Sequence, residues 1–255
     1  MKINITEAKR VFADYVKNYD INDKKIKIKI SHIERVSQIA KNLAISLNLN
    51  EEDIELAELI GLLHDIGRFE QVRRYHTFID KDSVNHGEYG VKVLFEDGLI
   101  RKFLKTTEFD EIIRKAILNH NRAKIEEGLT ERENLHAKII RDADKTDIFY
   151  VLTIGDKKTI WESDDLSNDI ITDKVYDEFI NDHLINYNDK KTSIDLLVAH
   201  FAYVFDFNYK QSLDTIKQKG YVTTLYNRFK FNNPQTKEKM EKIYNEVIKY
   251  MDSKG

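Results

Sequence analysis

Only one proline, Pro234, and nine glycines occur among the 255 residues. Both residue types break helices. Their scarcity leaves long stretches in which apolar residues recur with the 3.6-residue period of a helix. A chain written this way is expected to fold as an all-α protein. The one run that alternates like a strand, KKIKIKIS from Lys24 to Ser31, leads directly into a helical pattern and reads as the start of a helix.

At 41% hydrophobic residues, the chain can bury the core of one large domain or two small ones. The period places helices over about Thr6–Asn18, Ile30–Leu47, Glu51–Ile66, Asn85–Phe95, Asp110–Asn119 and Glu131–Leu152. Asn50 is the expected N-cap of the third. A polar stretch, GDKKTIWESDDLSND, then separates a second set over about Asp173–His183, Thr192–Phe205, Tyr209–Lys219 and Pro234–Met251. Asn233 before Pro234 has the form of an N-cap followed by proline at the first helical position. This reads as a core over 1–155 and a C-terminal helical extension over 156–255 that packs on it.

Several function classes are set aside by composition. The net charge is −3, with Lys and Arg scattered, so no basic footprint for general nucleic-acid or membrane-surface binding is expected. There are no cysteines, which excludes disulfides and thiolate metal sites. No apolar stretch approaches the ~18 residues of a spanning helix, and the start MKINITEAKR lacks an apolar signal segment. A cytoplasmic protein is the expectation.

What composition leaves open, the ionisable residues narrow. His32 shares a helix face with Val36, Ile39, Ala40, Leu43 and Leu47. His64 continues the stripe Ile54, Ala57, Ile60, Gly61, and Asp65 stands beside it. His86 lies with Tyr89, Gly90, Val93 and Leu94, and His120 follows Ile113, Ala116 and Ile117. Asp144 falls between Ile140 and Ile148. One histidine on an apolar face is ordinarily a satisfied core residue. Five segments that each aim such a group inward are another matter, because buried carboxylates are costly unless paired, hydrogen-bonded or metal-bound. A nitrogen- and oxygen-rich metal site accounts for all of them together.

The ordered set His32, His64-Asp65, His86, His120, Asp144 resembles the HD-domain metal-dependent phosphohydrolase superfamily. The local strings SHIERV, LLHDIGR, NHGEYG, ILNHN and IIRDADKTD agree, over about Lys29 to Tyr150. The resemblance implies a helical bundle that holds two divalent ions, Mn, Fe or Mg. It implies that His32, His64, Asp65 and Asp144 hold the first ion, and that Asp65 bridges to a second held by His86 and His120. Of the acids in RDADKTD, Asp142 is expected to face solvent and Asp147 to orient a ligand histidine.

It further implies cleavage of a phosphoester or phosphoanhydride of a small phosphorylated molecule, a nucleotide by preference, through a metal-activated hydroxide. Asp65 and Arg68 would be the catalytic pair, Arg68 as the cation that meets growing negative charge. The chain reads HDIGR where the cyclic-dinucleotide branch has HDIGK, and it lacks that branch's Gly-Tyr-Pro signature. Lys145, Asn119 and Asn121 are further candidates to line the site. His76 is placed in a loop, near substrate or simply at the surface; His136, His183 and His200 are expected to be structural. Two other readings use the same residues: a diiron oxygenase of the HD class, and a non-catalytic regulatory HD domain.

Overall fold

The computed structural model describes residues 3–161, 163 and 165–254, and among them every regular element is helical. The chain divides into two compact units, Met1–Asp147 and Ile148–Gly255. The first is built from α1 (Ile5–Val16), α2 (Lys24–Ser46), α3 (Glu51–Leu63), α4 (Gly67–Tyr75), α5 (His86–Val91), α6 (Ile100–Phe103), α7 (Asp110–His120) and most of α8 (Glu131–Ile154).

The strand-like run of lysines and isoleucines is helical because Asp23 caps it, its side chain accepting from Lys25 N at 2.7 Å. Helical phase then buries Ile26 and Ile33 and leaves Ile28 exposed. Asn50 caps α3 as expected, accepting from Asp53 N. From Leu56 to Leu63, α3 is buried on every side, which explains a stretch apolar all round but for Glu58, whose carboxylate is met by Lys9 and Lys41.

The helix expected to run to Ile66 stops at Leu63; residues 64–66 form a turn, and α4 starts at Gly67. Gly67 makes that restart possible. A Cβ there would lie 2.5 Å from His86 O and 2.6 Å from Gly90 N, so only glycine lets α4 lie against α5. Gly61 does the same between α3 and α2, where a Cβ would meet Ser37 Cα at 2.7 Å.

The second unit continues α8 and adds α9 (Lys157–Trp161), α10 (Asp173–Asp182), α11 (Ser193–Ala202), α12 (Lys210–Gln218), α13 (Tyr221–Asn227) and α14 (Pro234–Lys254). Its own core gathers Trp161, Phe179, Leu197, Phe201, Ile243 and Val247. Thr192 and Asp195 form a capping box on α11, and Asn233 caps α14, accepting from Thr236 N at 3.0 Å. The polar stretch read as a separator contains α9, whose Trp161 is fully buried; Glu162 and Asp164 of that stretch lie outside the described residues. Among the described residues no helix is long and apolar enough to cross a membrane.

Candidate metal centre

Four histidines and two aspartates of the first unit meet at one place. α2 brings His32; the end of α3 brings His64 and Asp65; α5 begins with His86; α7 ends with His120; α8 supplies Asp144. Each histidine is oriented through its Nδ1. That of His32 meets Asp147 Oδ2 at 2.7 Å, and that of His86 meets Asp80 Oδ2 at 2.6 Å. His64 and His120 use backbone carbonyls one turn back, Gly61 O at 2.8 Å and Ile117 O at 2.6 Å. An oxygen acceptor at Nδ1 places the ring proton there and leaves Nε2 as a lone pair. All four Nε2 atoms are thus turned toward Asp65.

Asp65 lies between two groups. Its Oδ2 is 3.6 Å from His32 Nε2 and 3.7 Å from His64 Nε2. Its Oδ1 is 3.5 Å from His86 Nε2 and 3.8 Å from His120 Nε2. Asp144 Oδ1 joins the first group, 3.1 Å from His32 Nε2 and 3.7 Å from His64 Nε2. Despite these approaches, His32 Nε2, His64 Nε2 and Asp65 Oδ1 are buried and make no hydrogen bond. The Nε2 atoms of His86 and His120 stand 2.9 Å apart. Two lone pairs at that distance repel unless a cation lies against both. Buried donors left unpartnered in this way are what a pair of metal ions requires, and two groups, His32-His64-Asp65 and Asp65-His86-His120, have the spacing to hold them.

Electrostatics agree with a donor set. Burial opposes ionisation of Asp65, yet Lys29, His64, His120 and Arg68 outweigh it and hold the carboxyl well below the usual range. Asp144 is likewise held low against its burial, by His32 and His64. Burial pulls His64 down, and burial with Arg68 pulls His86 down to about 4. For His32, burial and Lys29 favour the neutral ring, and the carboxylates of Asp144 and Asp147 raise it in spite of them.

Side-chain exposure is 16% for Lys29 and Asp144 and 14% for Arg68, against 8% or less for the five other donors, so the centre opens on the side of those three. Arg68 is held by Nη1, which donates to Gln71 Oε1, Phe78 O and Asp80 Oδ1. Its Nε is buried, makes no hydrogen bond, and lies 3.5 Å from Asp65 Oδ1.

Around this centre some expectations are changed and others hold. Asp142 is fully buried, not solvent-facing, because α8 is enclosed around its middle turns and Arg141 and Ala143 beside it are buried as well. Asn119 is a latch, bonding Lys115 O and Glu126 N, whereas Asn121 lies beside the centre as expected, its Nδ2 3.3 Å from His86 Nδ1 and donating to Asn85, the N-cap of α5. His76 is exposed at the left-handed end of α4, its carbonyl accepting from Lys25 Nζ. His136 bonds Asp53 Oδ1 at 3.0 Å; His183 stacks on Phe205; His200 is buried beside Trp161.

Asp80, which holds both His86 and Arg68, was not legible, since it stands in a loop with no period to place it. Lys29 and the buried Arg141, which donates to the carbonyls of Asn119 in the last turn of α7 and of Arg122 just after it, were missed as well.

The fold and site thus define an all-α domain with a buried histidine–aspartate cluster that could hold metal ions. Residues 30–148 match the family model of the HD domain, and every residue of the cluster lies within them. This stretch is similar to the HD domain, which is consistent with the superfamily of HD-domain metal-dependent phosphohydrolases. Comparison with curated proteins and with solved structures gave no match.

Proposed function

We propose that this protein is a dinuclear metal-dependent phosphohydrolase, acting on a phosphoester or phosphoanhydride of a small molecule, a nucleotide by preference. One observation carries the reading: four imidazole Nε2 atoms converge on the two oxygens of a single buried carboxylate, Asp65, and those of His32 and His64 make no hydrogen bond. Residues His32, His64, Asp65 and Asp144 would hold one divalent ion, and Asp65, His86 and His120 the other. Ions bound there would polarise a phosphoryl oxygen and bring the pKa of water near neutrality.

The protein's own groups do the rest. Asp147 and Asp80 fix the rings of His32 and His86 and keep their Nε2 atoms basic. Arg68, immobilised through Nη1, presents its free Nε–H beside Asp65, preorganised for the charge that grows on phosphoryl oxygens. Arginine is always protonated, so it stabilises charge and does not donate the leaving-group proton.

The test is metal analysis of anaerobically purified protein, followed by a phosphoester and nucleotide panel. Two Mn or Fe ions per chain and anaerobic cleavage by the Mn form are expected. Asp65→Ala should lose both ions, and His120→Ala should keep one. O₂ uptake by an iron form, with no phosphorylated compound cleaved anaerobically, would overturn hydrolysis in favour of oxygenase chemistry.

A further inference from the structure

Lys29 lies one turn before His32 on α2 and reaches the centre from its open side. Its ammonium donates to Asp65 Oδ2 at 2.6 Å and sits 5.3 Å from the centre of the Phe78 ring. Among the described residues this is the one hydrogen bond of the Lys29 ammonium. Two other cations near the site are anchored differently. Arg35 is bidentate on Asp147, and Arg68 is fixed by three oxygens. The Lys29 ammonium instead rests on Asp65 by its hydrogen bond, on the same Oδ2 that faces His32 and His64.

We propose, resting on the phosphohydrolase reading above, that Lys29 is a two-position cation. In the metal-free protein it occupies the charge of Asp65; when divalent ions take that carboxylate, it is released and meets a phosphoryl oxygen of the substrate. An ammonium stripped of its carboxylate and left beside divalent cations is repelled by them. An incoming phosphoryl group is the anion that relieves this, and it must enter where Lys29, Asp144 and Arg68 are exposed. Lysine can move between the two positions because it is a compact charge with three donors on a flexible stem, whereas the forked and immobilised Arg68 cannot. The Phe78 ring lies 5.3 Å from the ammonium and offers it a π face beside the carboxylate.

The experiment compares metal-stripped wild type, Lys29→Met and Lys29→Arg, with melting curves confirming that each folds; methionine keeps the stem and removes the charge. Calorimetric titration with Mn²⁺ should show Lys29→Met taking its first ion roughly tenfold more tightly, since no ion pair is displaced, and Lys29→Arg close to wild type. In the Mn-loaded proteins, titration with inorganic phosphate should show binding to Lys29→Met weakened by roughly tenfold or more, with Lys29→Arg retaining most of it.

Mn²⁺ affinity that is unchanged or weaker in Lys29→Met overturns the competition for Asp65. Unchanged phosphate affinity overturns the substrate position. A wild type that takes up no Mn²⁺ removes the phosphohydrolase reading and this proposal together. A wild type that binds Mn²⁺ and phosphate, with Lys29→Met identical to it, removes the role of Lys29 alone.

Discussion

At the scale of single residues, the oxygen at each Nδ1 decides what the centre can do. Two of the four acceptors are side chains, Asp147 for His32 and Asp80 for His86, and they can be changed without touching a donor atom. Asp147→Asn should weaken the ion near His32, and Asp80→Asn the ion near His86, each by about 10–100-fold, the scale for groups that orient a ligand. A two-site Mn²⁺ titration reads this, and equal weakening of both ions by either variant would contradict the division of roles.

Acid sensitivity is set at the same scale, and part of it lies away from the centre. Burial pulls the His136 ring below 6.5 despite Asp53, with Arg132 acting the same way as burial. Burial, with Lys190, pulls His200 down to about 3. Below pH 6.5 the unfolded chain binds protons that these two folded rings refuse, so stability is full above that pH and falls as pH drops. Asp53 adds a second loss below the ordinary aspartate value of 3.8, because His136, Arg132 and Asn50 hold its carboxyl low. Urea titrations should show stability declining as pH falls below 6.5, by up to about 1.4 kcal/mol per pH unit for the His200 ring, with His136 contributing in the same direction. His200→Phe should reduce that slope. Stability that rises on acidification would refute the assignment.

At the scale of elements, glycines place the histidines. Gly67→Ala drives a Cβ into the backbone of His86 and Gly90, and backbone cannot step aside as a flexible side chain can. We expect a loss of about 1–3 kcal/mol, together with weaker Mn²⁺ binding, because His86 moves with α5. Gly90→Ala is the contrast. Its nearest contacts would be ordinary, at 3.5 Å or more, so it should melt close to wild type. Equal melting temperatures for both alanine variants would show that the close approach of α4 and α5 is not what fixes His86.

The same scale shows how far the sequence could be read. Long amphipathic helices such as α2, α7 and α8 carry a period, and the inward residues on them, His32, His120 and Asp144, were legible by phase. Short elements carry none. The helices α4, α6, α9 and α13 have nine residues or fewer, too few turns for a stripe to stand out. The burial of Asp142 escaped for a related reason. In a helix enclosed around its middle turns, one stripe no longer separates inside from outside. Asp80 and Lys29 act through tertiary proximity alone, to His86 and to Asp65, and no local pattern announces that.

For the molecule as a whole, the centre ties together residues far apart in the chain. His32 and Asp144 stand near the two ends of the first unit, and the donors come from five separate segments. Without ions, those segments converge on lone pairs and a carboxylate whose charge is balanced mainly by Lys29 and Arg68. With ions, the same atoms become cross-links that exist only in the folded state, so binding energy becomes folding energy. At Mn²⁺ a hundredfold above its dissociation constant the gain is about 2.7 kcal/mol per site by mass action. For a chain of this size each kcal/mol is worth roughly 2–4 °C, so one site should raise the melting temperature by roughly 5–10 °C. Calorimetry with Mn²⁺ and with excess chelator measures it directly. Hydrogen exchange adds the location: protection should increase around His32, residues 64–66, His86, His120 and Asp144. Asp65→Ala should abolish the shift, and a shift that survives in that variant would place the stabilising ions elsewhere.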